Sequence, residues 1–397
     1  MNWKKQITLF LTSQAISLFG SSMVQFAIVW YVTKETSSGF WVSMLTVCAY
    51  LPQFVISFFA GVWADRHSKK LLIIGADTGI TVTTLILILL FPYISKDTTL
   101  LMLLLFISAL RSIGTGIQTP AVSALIPELV PEQHYMRVNG INATIQSVVQ
   151  FAAPAAAGLV LTYYSLPITL MLDIITAVIG ITVFSFVLLP KKMEEVENGE
   201  GSVYQDMLYG IHYAKSDFFI KRLLLTNGFF ILLCVPAGFL AGLYVSITYG
   251  NSYAYLTTVE LVGFAGMTLG GILMGTWGGF KDRLKTLIAG MILFGILAIG
   301  MGISKSFVLY LLFMFLYGIA LTMIQTATTT LLQESAKPEM QGRVFGLFSA
   351  IYSAFLPIGM LIFGPLSDMI SMRWIMVLSG VALVILGSLT RSISERR

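Results

Sequence analysis

Long apolar stretches recur along the whole chain, and short segments between them carry most of the charged residues. A helix needs roughly 20 apolar residues to cross the hydrocarbon core of a bilayer. Runs of that length predict twelve membrane-spanning helices, six on each side of one polar segment. The predicted spans are 8–32, 41–63, 71–93, 99–121, 138–163, 167–189, 222–247, 256–279, 286–303, 307–331, 343–367 and 374–391.

The composition supports an all-α integral membrane protein. Only 11% of the residues are charged, 56% are hydrophobic, and the mean hydropathy is +0.85. A soluble domain carries roughly 25% charged residues, so a cytosolic enzyme, a disordered protein and a fibrous protein are all excluded. The lipid bilayer is the expected partner, and we expect a monomer.

The net charge and the positions of the cysteines indicate which ligands are not expected. The formal net charge is +5, but the basic residues form short clusters beside apolar runs, so we expect no binding to nucleic acid. Cys48 and Cys234 both lie inside apolar stretches. They predict neither a disulfide framework nor a metal site, and no cofactor is expected.

One polar segment divides the chain. Residues 190–200 form its long charged part, and residues 203–218 alternate apolar and polar positions at helical spacing. That spacing predicts an amphipathic helix on the bilayer surface. The predicted domains are an N-terminal six-helix bundle (1–189), a cytoplasmic linker with this helix (190–221) and a C-terminal six-helix bundle (222–397).

Lysine and arginine are distributed unequally between the two sides of the predicted helices. If the N-terminus is cytoplasmic, nearly all of the 24 basic residues fall in cytoplasmic segments. The exceptions are Lys34, Lys96, Lys305 and Arg373 outside and Arg111 within a span. The positive-inside rule therefore predicts a multi-pass protein of the cell membrane with both termini in the cytoplasm.

Short motifs of the first half return in the second. Residues 117–119 (IQT) recur as 324–326, and Asp65-Arg66 recurs as Asp282-Arg283 at the end of the equivalent span. Further matches are Pro131-Glu132 with Pro338-Glu339, and 137–140 with 343–346. Two pseudo-symmetric six-helix bundles of this kind are one build of secondary transporter, with a substrate cavity between the halves.

Residues 61–70, with the sequence GVWADRHSKK, carry a more specific signal. They resemble the loop 2–3 signature of the major facilitator superfamily, G-x-x-x-D-R-x-G-R-K, with Ser68 and Lys69 as departures. The resemblance implies a role in closing the inner gate for Gly61, Asp65, Arg66, Lys69 and Lys70. The degenerate second copy comprises Gly278, Asp282 and Arg283.

A narrower resemblance concentrates in residues 60–160. The segments 111–116 (RSIGTG), 120–121 (PA), 129–132 (LVPE) and 74–77 (IGAD) are similar to the Mef-type macrolide efflux group. This implies a proton-coupled exporter of amphipathic drugs, with small drug molecules and protons as partners. Siderophore exporters share parts of the pattern, so export of another amphipathic molecule is the alternative.

Four charged residues fall inside predicted spans, away from the end residues of each span: Arg111, Asp77, Asp173 and Glu260. Charge inside a bilayer is costly, so such residues are functional candidates by default. We expect them to handle protons or charge, and the family resemblance also places an arginine of span 4 in proton handling. The structural alternatives are a buried ion pair for Arg111, pairing with the basic loop for Asp77 and contact with outside water for Glu260.

Polar side chains at helical spacing predict the faces that line a cavity, because a lipid-facing amide has no partner. The candidate lining residues are Gln14, Ser17, Ser21, Gln25, Asn142, Gln146 and Gln150. Hydrogen bonding between helices is the alternative role for such residues. Aromatic walls are expected from Tyr50, Phe54, Tyr317 and Tyr352.

Glycines recur every three or four residues in span 8 and predict close approach of a neighbouring helix. They are Gly263, Gly266, Gly270, Gly271, Gly275, Gly278 and Gly279. An intramembrane enzyme is the competing class, because His212 and Asp217 match a loose acyltransferase spacing. No nucleotide-binding Gly-rich loop occurs in the sequence, which indicates that ATP does not drive the protein directly.

Overall fold

The computed structural model describes residues 3–94, 97–131, 134–188, 212–337 and 340–391, and these are almost entirely helical. The first six helices are α1 (Trp3–Thr36), α2 (Gly39–Arg66), α3 (Lys69–Leu90), α4 (Asp97–Leu129), α5 (Tyr135–Tyr163) and α6 (Leu166–Ser185). The later helices are α7 (Phe218–Cys234), α8 (Ala241–Thr248), α9 (Tyr253–Trp277), α10 (Arg283–Ile303), α11 (Phe307–Ser335), α12 (Gln341–Met369) and α13 (Met372–Thr390).

Eleven helices in this part of the chain are long and apolar enough to cross a membrane. Many large apolar side chains on them are exposed, including Leu71, Val308 and Trp374, at 71%, 76% and 64% of their surface. A water-soluble protein would not present so much contiguous apolar area. These side chains are therefore the surface that lipid covers.

The predicted span 222–247 is wrong as a single helix. It forms α7 and α8, separated by a turn at residues 235–240. Pro236 lacks a backbone N–H, and Gly238 lies where a Cβ would be only 2.6 Å from the Tyr317 hydroxyl. Backbone bonds from Gly238 N to the Cys234 carbonyl (2.9 Å) and from Leu240 N to the Val235 carbonyl (3.0 Å) satisfy the turn.

The predicted linker (190–221) and its amphipathic helix (203–218) lie mostly outside the described residues. Residues 212–216 are helical, and the helix ends before Asp217. The Asp217 carboxylate accepts a hydrogen bond from Ile220 N (2.9 Å) and caps α7. This is the N-terminal capping geometry that satisfies a free donor of the first turn.

The chain divides into two compact units. The N-terminal unit contains residues 1–37, 44–194 and 252–257, and the C-terminal unit contains the remainder. In the first unit α1 packs against α5 and α6, while α3 packs against α4 and α6. In the second unit α7 packs against α12 and α13, while α10 packs against α11 and α13. The same four pairings thus recur at equivalent helices.

The glycines of α9 behave in two ways. A Cβ at Gly263 would lie 2.9 Å from Met314 Cε, and one at Gly270 would lie 2.9 Å from Ile319 Cα, so this face packs tightly on α11. Gly271 and Gly275 have no neighbour within 4 Å among the described residues. Close helix approach therefore explains only part of the glycine pattern.

Candidate functional site

Polar contacts join α3 to α4 at two levels of the N-terminal unit. Near one end Gln118 Nε2 donates to Asp77 Oδ1 (2.8 Å), and two turns along α3 the Arg111 guanidinium donates to Thr84 Oγ1. Between these levels a Cβ at Gly114 would lie 2.6 Å from Ile80 Cγ1, so the helices are in close contact there. We call these three contacts, Asp77–Gln118, Ile80–Gly114 and Thr84–Arg111, the α3–α4 ladder.

The ladder continues to α6 through an ion pair. Arg111 Nη1 lies 2.6 Å from Asp173 Oδ2, and Thr84 Oγ1 lies 3.2 Å from the same oxygen. Arg111 is 6% exposed and Asp173 is 1% exposed. Burying two charges costs several kcal/mol per ion before their attraction is counted, so one partner alone would be strongly destabilising.

The second oxygen of Asp173 has a different environment. Asp173 Oδ1 is buried without a hydrogen-bond partner in the described part of the chain. It faces α1, where a Cβ on Gly20 would come within 3.2 Å of it and would overlap Thr176 Oγ1. A buried acceptor without a donor costs free energy.

The structural alternative for Asp77 is pairing with the basic loop that precedes α3, and no such contact occurs among the side chains that the structure describes. Its described partner is Gln118, and Asp77 also interacts electrostatically with Asp173. Lys69 of that loop instead forms a salt bridge with Glu128 of α4 (2.6 Å). Of these two carboxylates, Asp173 is the one with a described contact to Arg111.

Part of the loop 2–3 motif has a structural role within the N-terminal unit. Lys70 Nζ donates to the carbonyls of Ser185 and Val187, each at 2.7 Å, at the C-terminal end of α6. A cation is favourable there because the last carbonyls of a helix carry partial negative charge. Gly61 and the side chains of Asp65 and Arg66 are not among the parts of the chain that the structure describes.

The second copy of the motif stabilises the turn before α10. Gly278 and Gly279 have φ of +73° and +78°, a backbone conformation that favours glycine. Arg283 donates to the Gly278 carbonyl (2.6 Å), and Asp282 caps α10 by accepting from Leu284 N (3.0 Å). Both charged residues are therefore bound to the backbone of their own turn.

The predicted cavity residues differ in accessibility. Ser17 is 4% exposed, and a Cβ on Gly180 would overlap its hydroxyl, so Ser17 lies in the packing between α1 and α6. Gln146 and Gln150 of α5 are exposed. The residues of intermediate exposure are Gln14, Ser21, Gln25 and Asn142. Accessible amides on membrane helices require water or a polar ligand, since lipid offers them no partner.

Glu260 lies on α9 in the C-terminal unit, partly exposed. It lies near Tyr310 and Tyr317 of α11. Both tyrosines are buried, at 0% and 4% exposure, and the Tyr310 hydroxyl has no hydrogen-bond partner among the described residues. Of the three carboxylates predicted within spans, Glu260 is thus the one without a described hydrogen bond or ion pair.

Several residues of these networks could not be identified from the sequence. Thr84 and Gln118 are ordinary polar residues of apolar helices until their partners are known. Asp368 is another: its carboxylate accepts from Gly39 N (2.6 Å), Phe40 N (2.9 Å) and the Ser38 hydroxyl (2.8 Å), and so caps α2. Its position near the end of an apolar run is the available sequence signal.

A multi-helix membrane protein with charged and amide groups inside its helix bundles has the features of a membrane transporter. The model of the Major Facilitator Superfamily matches residues 10–354 and 248–394. The chain belongs to this superfamily. It is therefore a multi-pass membrane transporter, and the intramembrane enzyme is excluded.

Comparison with individual proteins gives more specific similarities. The chain is 30% identical to Macrolide efflux protein A of Streptococcus pyogenes over 100% of its own length and 98% of that protein. It is 22% identical to the Staphyloferrin A transporter of Staphylococcus aureus (strain NCTC 8325 / PS 47) over 43% of each chain. A bacterial homolog of the human lysosomal transporter Spinster has the same fold, with a TM-score of 0.71, 14% identity and coverage of 99% and 97%.

Proposed function

We propose that this transporter is a drug/proton antiporter that exports bulky amphipathic drugs, macrolides above all, by alternating access. The observation that carries the proton coupling is the buried pair of Arg111 and Asp173, bonded at 2.6 Å between α4 and α6. The cargo rests on the full-length similarity to Macrolide efflux protein A. Antibiotic resistance in the producing cell is the expected consequence.

The proton would be carried at the carboxylates around Arg111. Protonation of Asp173 removes the negative charge that holds Arg111, and the guanidinium then keeps its hydrogen bond to Thr84. Loss of the proton restores the pair. Such a group has two arrangements, and the one adopted depends on a single proton.

The proton gradient supplies enough energy for export. For a neutral cargo, one proton moved inward releases about 2.3 kcal/mol per 100 mV, which corresponds to about a fiftyfold concentration ratio. A singly charged cargo exchanged for one proton moves no net charge, so the pH difference alone drives its export, at about tenfold per pH unit. The accessible amides Gln25, Gln146 and Gln150 would contribute hydrogen-bonding groups to the cargo's path. The bound substrate would otherwise contact mostly apolar walls.

The motif residues and the orientation complete the proposal. Gly61, Asp65, Arg66, Lys69 and Lys70 would form the cytoplasmic gate, and the bonds from Lys69 to Glu128 and from Lys70 to α6 would be remodelled as it closes. Asp282 and Arg283 would fix the equivalent loop of the second half. Both termini and the linker would be cytoplasmic, as the distribution of basic residues predicts.

Siderophore export is the second candidate. It is favoured by the similarity to the Staphyloferrin A transporter, which covers less than half of the chain. A siderophore is polar and often anionic, whereas a macrolide is apolar with one amine. The two cargoes therefore make different demands on the buried charges.

The test is the accumulation of radiolabelled erythromycin in a drug-hypersensitive bacterial host. Expression of the chain should lower accumulation severalfold, and a protonophore should restore it. Cells with an empty vector and a panel containing a catecholate and a carboxylate siderophore serve as controls. Unchanged accumulation of erythromycin together with export of a siderophore would contradict the macrolide assignment. Efflux that a protonophore does not inhibit would contradict the coupling to protons.

A further inference from the structure

The C-terminal unit contains a carboxylate and a group of tyrosines in an unusual arrangement. Glu260 occupies the face of α9 that packs on α11. One turn further along this face a Cβ at Gly263 would meet Met314, and another at Gly266 would overlap the Phe315 carbonyl. Since Tyr310 precedes Met314 by about one turn, the two helices run side by side with Glu260 level with Tyr310.

The tyrosines form a continuous aromatic cluster. Tyr310 stacks on Tyr244 of α8 with ring centroids 5.5 Å apart, and it also contacts Tyr249 at 5.4 Å. Tyr244 and Tyr249 direct their hydroxyls to backbone carbonyls at the end of α10, at 3.2 Å and 2.8 Å. Tyr310 alone of these three has no such acceptor in the described residues.

A further tyrosine, Tyr317, lies next to the turn between α7 and α8. Its ring packs on Phe294 with centroids 4.1 Å apart, and its hydroxyl lies where a Cβ at Gly238 would be 2.6 Å away. Non-helical backbone at membrane depth is tolerated where it is buried in protein or lines a cavity. Interrupted helices in transporters commonly mark the binding site.

We propose that Glu260, together with the rings of Tyr310 and Tyr317, binds the positively charged amine of the exported molecule. This inference rests on the proposed export function and deepens it, because it assigns the cargo's cation to the C-terminal unit. The ligand class is a bulky organic ammonium or a similar lipophilic monocation. Asp173 is unsuited to this role, since Arg111 already occupies it.

The chemistry of the site fits a lipophilic cation better than a metal ion. A partly buried carboxylate without a cation is costly, and a monocation that has a weak hydration shell relieves this cost on binding. Tyr310 and Tyr317 add aromatic surface close to the carboxylate, and aromatic side chains are a known means of recognising quaternary ammonium groups. One carboxylate among tyrosines offers too few oxygen ligands for calcium or magnesium.

The binding of two probes by the purified full-length chain in lipid nanodiscs tests the proposal. Tetraphenylphosphonium is a permanent cation without an exchangeable proton, and erythromycin carries an amine. Glu260→Gln should weaken the binding of both by at least about tenfold, the scale of a lost charge-assisted contact. Glu260→Asp, which keeps the charge, should lose less. Monodisperse elution of each variant shows that it is folded.

The matched control is Glu334→Gln, which removes an exposed carboxylate of α11 that lies 3.8 Å from Arg283. It should bind both probes within about twofold of the unchanged chain. An erythromycin derivative whose dimethylamino group has been demethylated once and then acetylated is a neutral amide, and it should bind the unchanged chain and the Glu260→Gln variant equally. That result would separate recognition of the charge from recognition of the ring.

The outcomes distinguish the inference from the function on which it rests. Equal binding of both probes by the unchanged chain and Glu260→Gln would overturn the amine site and leave export standing. Glu260-dependent binding of tetraphenylphosphonium without binding of erythromycin would support the site and overturn the macrolide cargo. Binding of neither probe by the unchanged chain would overturn both.

Discussion

Arg111 is held by partners on two different helices, Thr84 of α3 and Asp173 of α6. A lysine at this position would retain the charge but not the planar group that can donate to both at once. The contacts of Arg111 therefore connect three helices, α3, α4 and α6, around the Asp173 carboxylate. The buried ion pair that was the structural alternative for Arg111 is therefore the same contact to which we assign proton handling.

We predict that replacing both residues of the ion pair restores stability but does not restore transport. Arg111→Met leaves Asp173 as a buried charge without a counter-ion and should lower the free energy of unfolding by about 3–5 kcal/mol. The double variant Arg111→Met/Asp173→Leu replaces both charges by apolar side chains and should recover most of that stability. Transport should stay absent, because Asp173, the carboxylate proposed to exchange the proton with Arg111 beside it, has been removed.

Thermal unfolding in detergent and erythromycin accumulation in cells measure the two effects separately. Arg111→Lys serves as the charge-retaining comparison and should transport poorly. Wild-type transport by the double variant would show that the pair is purely structural.

Individual residues also show what the sequence can and cannot predict. Arg111 and Asp173 could be selected because an ionisable residue in an apolar run is rare and costly. Their pairing could not, because α4 and α6 meet only after folding. Ser17 matched the cavity spacing of α1, yet it is buried against Gly180, since a small residue on the opposite helix draws the backbones together.

Among the helices, the packing of α3 on α4 is the feature that fixes the positions of the charged groups. Gly114 lies between the two polar levels of the α3–α4 ladder, with Ile80 against it. A side chain at this position would push the helices apart and lengthen the hydrogen bonds on both sides. Helix separation here would thus alter both Asp77 and Arg111.

We predict that Gly114→Ala lowers the unfolding temperature and the transport rate, because overpacking of a close contact costs about 1–3 kcal/mol. The matched control is Gly79→Ala on α3. A Cβ there meets nothing within 4 Å among the described residues, so stability and transport should be unchanged. The two variants can be compared by thermal unfolding and accumulation in the same host.

If Gly114→Ala matched Gly79→Ala in both measurements, the α3–α4 contact would not determine the geometry of the charged groups.

The helices themselves were largely predictable, because membrane spans are long and strongly apolar. The exception is the span that forms α7 and α8. Val235 and Leu240 keep its hydropathy high across the turn, so a window average does not detect the break. Pro236 and Gly238 were visible in the sequence, but the contact with Tyr317 that favours the turn there depends on tertiary structure.

For the whole molecule, the sequence repeats and the helix pairings describe the same organisation. Equivalent helices pack in the same pairs within each unit, as expected of two six-helix repeats. The chemistry of the units differs, however. The N-terminal unit holds an ion pair on which a proton can act, and the C-terminal unit holds Glu260 among tyrosines without a counter-ion of its own in the described residues.

We propose that the two units divide the work of transport: protons bound at the Arg111–Asp173 pair drive the export of an amine-containing drug. The most direct test uses purified protein in liposomes that contain a pH-sensitive dye and carry an imposed pH gradient. Erythromycin should accelerate proton movement through the unchanged chain, and the double variant Arg111→Met/Asp173→Leu should show no acceleration. Erythromycin transport without accompanying proton movement, or equal proton movement in the double variant, would contradict the account.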